Sequence, residues 1–239
     1  PGTDTAFDVG QMKIGRRLAI KILNASKFVL MLDPTTDATA ITQPHDRARI
    51  AALAETVRQA TAAFEQFNYA KALEVAETFF WDFTDDYVEL VKERAYGGDG
   101  DAKADSAKAA LATSLDTILR LFAPFLPFVT EEVWSWWQEG TIHRASWPDS
   151  EALAALAEGQ DPGLLADLAW VLTAIRKAKS DVNASMRAEV ASAVITAPAD
   201  AIGRLQTATD DITAVGRIAH LTFIEGAQLT VEVELAPTQ

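Results

Sequence analysis

Cysteine is absent from this chain of 239 residues, and other scarce features narrow the possible functions further. Without cysteine the chain can form no disulfide, offer no thiolate nucleophile and hold no cysteine-ligated zinc. Long apolar runs are also missing, because the run Leu121–Val129 is interrupted by two prolines and is too short to span a bilayer. No basic segment followed by an apolar stretch opens the chain. We therefore expect neither a secretory signal nor a membrane partner.

Histidine is scarce as well, with three residues in the whole chain. His45, His143 and His220 lie far apart and lack the spacing of metal ligands or of a catalytic pair. The glycine-rich segment 97–100 follows no predicted strand, and neither Lys-Ser nor Lys-Thr comes after it, so it is not a phosphate-binding loop. The residues therefore predict no catalytic site and no metal site in this chain.

The chain is acidic, with a formal net charge of −13 and a pI near 4.6, and this charge alone argues against nucleic-acid binding. The cations are not evenly spread. Residues 9–32 contain five cations and no carboxylate, and residues 176–187 contain four cations and one carboxylate. An acidic body with two basic segments can attract a polyanion to those segments and repel it elsewhere. The alternative, that these cations are only the solvated faces of helices, stays open.

Apolar periodicity predicts a mostly α fold, with a helical domain at residues 1–150. Helices are expected at 10–32, 44–67, 69–95 and 102–122, followed by a fifth that begins after Pro127 and contains Val133, Trp134 and Trp137. The segment 97–101 is expected to be a flexible turn.

A change in composition predicts a second, small α/β domain at residues 160–239. An alanine-rich stretch with Gly159 and Pro162-Gly163 is expected to be a linker. Helices are expected at 164–179 and between 198 and 207, and strands at 189–196, 221–224 and 229–235.

The first helix carries the most informative pattern. On a helical wheel Arg17, Lys21, Asn24 and Phe28 form a ridge beside the apolar face, which contains Ile14, Leu18, Ile22, Ala25, Val29 and Leu32. Cations contact phosphates, an amide can bond a base edge, and a ring can stack on an unpaired base for about 1–3 kcal/mol. The ridge is therefore suited to single-stranded nucleotides of a loop. The alternative, that Phe28 packs in the core and the polar residues are merely solvated, stays open.

Several segments of this sequence resemble one enzyme family. The run GRRLAIKILNASKFVL at 15–30 resembles the opening of the anticodon-binding domain of valyl-tRNA synthetases. The run LFAPFLPFVTEEVW at 121–134 resembles a helix junction shared by the class I synthetases for valine, isoleucine and leucine. Ser146-Trp147-Pro148 and the segment 174–179 resemble the turn and the small α/β domain that follow in the valine branch. The resemblance implies a five-helix anticodon-binding bundle followed by a small α/β domain.

The resemblance also implies a longer parent enzyme. Such a parent joins valine to tRNA-Val in the cytoplasm through a valyl-adenylate, using ATP and magnesium. The HIGH and KMSKS sequences that bind ATP are absent from this chain, so we expect it to be inactive alone and to hold no cofactor. Its expected partners are the anticodon stem-loop of tRNA-Val and the catalytic domain of the same polypeptide, and we expect a monomer.

Residue roles follow from the same resemblance. Lys21, Asn24 and Phe28 match family positions that meet the anticodon bases, with Phe28 stacking on one base and Lys21 meeting another. Arg17 is added from the helical wheel as a phosphate contact. Three cations at the start of the α/β domain are a possible second RNA contact: Arg176, Lys177 and Lys179.

Two alternative functions remain open from the sequence. The first is the corresponding domain of an isoleucyl-tRNA synthetase, although many of those enzymes end in a cysteine-bound zinc module and this chain has no cysteine. The second is an acidic helical scaffold that binds protein partners and has no role with RNA.

Overall fold

The computed structural model describes residues 7–35, 37–98, 101–161 and 163–237. Within them the α-helices are Val9–Met31 (α1), Pro44–Glu65 (α2), Tyr69–Asp82 (α3), Val88–Ala95 (α4), Ala102–Phe122 (α5), Pro127–Trp134 (α6), Ser150–Leu156 (α7), Gly163–Asp181 (α8), Ala199–Gln206 (α9) and Thr209–Gly216 (α10). The strands are Val190–Ala197 (β1), Ile218–Glu225 (β2) and Thr230–Leu235 (β3). The fold is mostly α with a small α/β portion, as predicted. The middle of the glycine-rich turn and Pro162 of the predicted linker lie outside the described residues.

Local sequence signals explain where the helices begin. The Asp101 carboxylate accepts a bond of 2.9 Å from the Lys103 N–H, and the Asn68 side chain accepts one of 3.2 Å from the Lys71 N–H. Pro44 opens α2, where a missing N–H costs nothing. Because these signals are local, the predicted starts of α2, α3 and α5 are confirmed.

The predicted single helix over 69–95 needs a correction. A π-helical turn, Phe83–Tyr87, separates α3 from α4. A π turn inserts one extra residue and so changes which positions share a face. Phe83 and Tyr87 are both buried, with stacked rings whose centroids are 6.1 Å apart, while Asp85 stays exposed. The turn therefore lets two aromatic rings enter the core and leaves carboxylates at the surface.

Three smaller expectations also need correction. The fifth predicted helix ends at Trp134, so Trp137 lies in the turns that follow it. The predicted linker contains α7, whose last turn is held by Arg47 through a 3.1 Å bond from Nε to the Leu156 carbonyl. The short helix α10 was not expected, because its eight residues give too little periodicity to recognise.

The first helix packs its apolar face on the bundle, with one exception. Leu18, Ile22, Val29 and Leu32 are buried, and α1 contacts α5 and α6. Ile14 is 43% exposed, although the wheel placed it on the core face. The buried residues of α1 begin at Leu18, so the first turns of the helix carry little packing.

The three strands form one mixed sheet with β1 in the centre. β1 pairs in parallel with β2, with Val190 opposite Ile218, and antiparallel with β3, with Ile195 opposite Val231. The central strand buries Val190, Ala193, Ile195 and Ala197, and α8 packs beside β3. The three predicted strands are confirmed, and β2 begins three residues earlier than expected.

A buried charge cluster joins the helical bundle to the α/β portion. Arg94 of α4 donates two bonds to the Asp46 carboxylate, at 2.8 and 2.9 Å, and a third of 2.9 Å to Asp211 of α10. Ser106 and Tyr87 also donate to Asp46, at 2.6 and 2.7 Å. The arrangement ties α2, α4 and α5 to α10. The domain boundaries near residues 150 and 160 stay a prediction.

Within the described segments, no helix is long and apolar enough to cross a membrane.

Candidate nucleic-acid interface

The four residues of the predicted ridge lie along α1, and they differ in exposure. Arg17 and Asn24 are exposed, whereas Lys21 and Phe28 are half-buried. Arg17 makes no side-chain hydrogen bond or ion pair with any residue in the described ranges. The ridge therefore offers one guanidinium and one amide directly to solvent.

Lys21 is already paired with a carboxylate of the π turn. Its Nζ lies 2.9 Å from Asp85 Oδ1 and 5.8 Å from the centroid of the Trp81 ring. The side chains of Lys21 and Asp85 are 36% and 54% exposed. An exposed ion pair contributes about 0–1 kcal/mol, so an RNA acceptor can compete for the ammonium group.

Phe28 lies at the boundary between the core and the surface. Its ring meets the Tyr96 ring edge-on, with the centroids 6.1 Å apart and the planes at 87°. The Lys92 ammonium lies 5.6 Å from the centroid of the Phe28 ring. Phe28 thus packs partly on the core, as the alternative interpretation required, and partly against Lys92 of α4 and Tyr96, which directly follows α4.

The side chains that face the ridge from α3, the π turn and α4 were missed by the sequence analysis. They are Trp81, Asp85, Lys92 and Tyr96. Tyr96 is 53% exposed, directly after the last residue of α4. An aromatic residue followed by Gly97-Gly98 at a helix end was the available signal, since a terminal ring has few neighbours to cover it.

The second predicted patch has one surface cation that bonds the same π turn. Arg176 donates bonds of 2.7 Å to the Asp86 carboxylate and 2.6 Å to the Asp85 carbonyl. Since Lys21 bonds the Asp85 carboxylate, the two basic segments meet at this turn. Lys177 remains on the surface, paired with Asp181 at 2.7 Å.

The prediction that Lys179 belongs to the second surface patch is wrong, because the residue is buried. The residue is 2% exposed, and its ammonium donates to the Gly216 carbonyl at 2.9 Å and to the Met186 carbonyl at 3.1 Å. Burial lowers the pKa of Lys179, with the nearby charge of Arg217 acting in the same direction. Its side chain holds two backbone segments together and is not available to RNA.

Nothing in the described segments resembles a metal centre, because no group of three or more His, Asp and Glu side chains is placed to hold an ion. His45 lies inside the buried charge cluster, 2.7 Å from Asp211, and His143 lies at the surface.

The chain thus combines a helical bundle with a small mixed sheet, and the ridge lies along the first helix of the bundle. A family model described as the anticodon-binding domain of tRNA ligase matches residues 46–195. The chain belongs to this family of tRNA ligase anticodon-binding domains.

The most similar relatives include three valine–tRNA ligases. The protein of Thermobifida fusca is 53% identical over 243 residues, that of Cutibacterium acnes 50% over 238, and that of Salinispora arenicola 50% over 255. The alignments cover 100%, 98% and 98% of this chain but 27%, 27% and 30% of the relatives. The chain thus spans less than a third of the length of these relatives, and the alignment to the first includes the whole ridge of α1.

Proposed function

We propose that this chain reads the anticodon loop of tRNA-Val as part of a longer valine–tRNA ligase. The observation that carries the proposal is the ridge of α1, where cations, an amide and a ring lie beside the exposed Tyr96 on an otherwise acidic protein. The identity with valine–tRNA ligases over the whole chain supports valine over isoleucine. Membership of the chain in an anticodon-binding family argues against a protein-binding scaffold.

In this proposal each ridge residue makes the type of RNA contact that its side chain allows. Phe28 stacks on one unpaired base, Lys21 and Asn24 bond base edges, and Arg17 contacts a phosphate. Lys21 must exchange the Asp85 carboxylate for an RNA acceptor, which costs little because the pair is exposed. Arg176 and Lys177, on the far side of the π turn, are placed for a second backbone contact.

Lys92 and Tyr96 extend this surface beyond the residues found in the sequence. Lys92 covers part of the Phe28 ring, so it moves to a phosphate when a base stacks there. Tyr96 offers a second ring at 87° to the first. Two bases that stack on perpendicular rings cannot stack on each other, so the proposed site turns neighbouring bases of the loop apart.

The chemistry of aminoacylation belongs to the parent enzyme in this proposal. The parent joins valine to tRNA using ATP and magnesium in the cytoplasm, and the residues of this chain supply RNA recognition only. The chain acts as a monomer joined to its catalytic domain, and alone it is expected to show no turnover.

The test is binding of a valine anticodon stem-loop to the intact chain, measured by fluorescence anisotropy at several salt concentrations. We expect Phe28→Ala to weaken binding by about 1–3 kcal/mol through lost stacking. Lys21→Gln should weaken binding and make it less dependent on salt, because one positive charge near the RNA is lost. Tyr96→Ala should weaken binding more than Tyr96→Phe, because the ring is the stacking group.

Matched controls are available elsewhere on the chain. Phe67 is 70% exposed, and Lys71 forms an exposed pair of 2.9 Å with Glu74 that resembles the pair of Lys21 with Asp85. Phe67→Ala and Lys71→Gln should leave the affinity unchanged. Equal affinity of the natural protein and all six variants would favour the scaffold, and a preference for an isoleucine stem-loop would favour the isoleucine branch.

A further inference from the structure

A cleft of about 580 Å³ lies between α2, α8 and the segment formed by α3, the π turn and α4. None of the residues that line it belongs to the ridge of α1. Its volume falls in the range of small-molecule sites. Apolar side chains from both portions of the fold form much of its wall, including Val75, Leu90, Leu165, Leu168 and Leu172. The cleft can therefore cover an aliphatic or aromatic body of modest size.

Arg49 lines this cleft without a protein acceptor for its guanidinium. The residue is 5% exposed, and its Nε is buried with no hydrogen-bond partner. Its two terminal nitrogens make no hydrogen bond with any residue in the described ranges. The guanidinium carbon lies 5.1 Å from the centroid of the Phe79 ring and 5.2 Å from that of Tyr87. The two aromatic rings stabilise the buried positive charge of Arg49 electrostatically, but they do not replace the hydrogen bonds that its N–H groups would make in water.

The other charges around the cleft are mostly neutralised by one another. Glu74 is paired with Lys71 at 2.9 Å, and Asp86 is paired with Arg176 at 2.7 Å. Asp82, which also lines the cleft, has no ion pair within the described part of the chain. The cleft therefore presents one unpaired cation and one unpaired carboxylate, separated by more than the length of an ion pair.

Burial and neighbouring charges both act on the pKa of Asp82. Burial raises the pKa of Asp82, the Arg49 charge lowers it, and the neighbouring Asp86 and Asp85 raise it again. The net pKa lies above the ordinary value, because burial and the two neighbouring carboxylates outweigh the Arg49 charge. A cationic group placed between them would stabilise the ionised form.

We propose that this cleft binds an apolar α-amino acid as a zwitterion. Its carboxylate accepts hydrogen bonds from Arg49, its ammonium group donates to Asp82, and its side chain lies on the leucines of α8. A guanidinium matches a carboxylate with two parallel bonds, which is the partner that Arg49 lacks. A simple anion fits less well, because Asp82 would repel it. The proposal is independent of RNA binding.

Calorimetric titration of the intact chain tests this proposal with L-leucine, L-phenylalanine and two half-analogues of leucine. We expect L-leucine to bind about tenfold more tightly than 4-methylpentanoate, which lacks the ammonium group, and than 3-methylbutylamine, which lacks the carboxylate. Equal binding of 4-methylpentanoate would overturn the zwitterion, since Asp82 would then contribute nothing. The absence of binding by either amino acid at about 10 mM would overturn the site itself.

Substitutions test which residue binds the carboxylate and which binds the ammonium group of the amino acid. Arg49→Met and Asp82→Asn should each weaken the binding of L-leucine by about tenfold. Arg58→Met is the control, because Arg58 lies on the same helix and, among the described residues, forms its ion pair with Glu55 at the surface. Since Arg49→Met removes a buried group, Arg49→Lys provides a variant that keeps the charge and loses the paired bonds; it should bind leucine with intermediate affinity. Unchanged binding in folded Arg49→Met or Asp82→Asn would contradict the assignment.

Discussion

In the proposed RNA complex, Asp85 and an RNA acceptor compete for the ammonium group of Lys21. The Lys21–Asp85 pair lies at the surface, where water screens it and the pair contributes about 0–1 kcal/mol. The Asp85 carboxylate fixes the position of the Lys21 side chain, but its negative charge also repels any phosphate within about 8–10 Å. At the scale of single residues, we therefore expect Asp85 to lower the RNA affinity of the proposed surface.

Replacing Asp85 by asparagine should strengthen binding of the valine stem-loop. The change removes a negative charge and frees Lys21, and we expect about two- to fivefold tighter binding at low salt, with a smaller gain at high salt. Arg176 bonds the backbone carbonyl of Asp85, so that contact survives the change. Anisotropy titrations measure the effect, with Glu74→Gln as the control for loss of a similar exposed acid. Weaker binding by Asp85→Asn would mean that positioning of Lys21 outweighs the repulsion.

The ends of α8 and α10 illustrate how a single side chain joins elements. Lys179, in the last turn of α8, donates to the carbonyl of Gly216 at the end of α10 and to Met186 before β1. Carbonyls at a helix end lack partners within the helix, and a cation there also interacts favourably with the negative end of the helix dipole. The ammonium group thus closes the corner where α8, α10 and the sheet meet.

Lys179→Met should destabilise the fold and leave RNA binding unchanged. The apolar side chain can occupy the same space, but two carbonyls lose their donor, and we expect a loss of about 1–3 kcal/mol in the free energy of unfolding. Urea denaturation measures this loss. Lys177→Met is the matched control, because its side chain is 70% exposed, and it should change the stability little. If both variants unfolded at the same urea concentration, the hydrogen bonds of Lys179 to the Gly216 and Met186 carbonyls would contribute nothing to stability.

The same elements show what a sequence can predict here. The starts of α2, α3 and α5 follow from caps and prolines a few residues away, and the ridge of α1 follows from helical periodicity. Lys21 and Lys179 looked alike as cations on helices, yet their partners lie 64 and 37 residues away along the chain. The π turn depends on burying Phe83 and Tyr87 together, which no local pattern encodes. Local signals thus located the ridge, and tertiary contacts determined its charge and its neighbours.

At the scale of the whole molecule, the buried cluster around Arg94 joins the two portions of the fold. Arg94 and Asp46 have side chains that are 8% and 0% exposed, and Asp211 contributes from α10 with 4%. Burial pushes the pKa of Asp46 upward, but the hydrogen bonds of Arg94, the charges of His45 and Arg94 and the hydrogen bond of Ser106 outweigh it and leave the pKa below its ordinary value of 3.8. The cluster therefore stabilises the fold above the ordinary carboxyl pKa, and its contribution is lost as the pH falls through the lower folded value.

Arg94→Met should be the most destabilising of these substitutions, and its effect should depend on pH. Without Arg94 the buried Asp46 carboxylate keeps its desolvation cost but loses its cation, and we expect a loss of about 3–5 kcal/mol at pH 7. Burial then raises the folded pKa above the unfolded value, so protonation relieves the cost, and the difference from the natural protein should shrink as the pH falls toward about 4. Urea unfolding at several pH values measures this convergence, with Arg58→Met expected to stay within about 0.5 kcal/mol throughout. A difference that is constant with pH would show that Arg94 stabilises the junction through packing instead of charge.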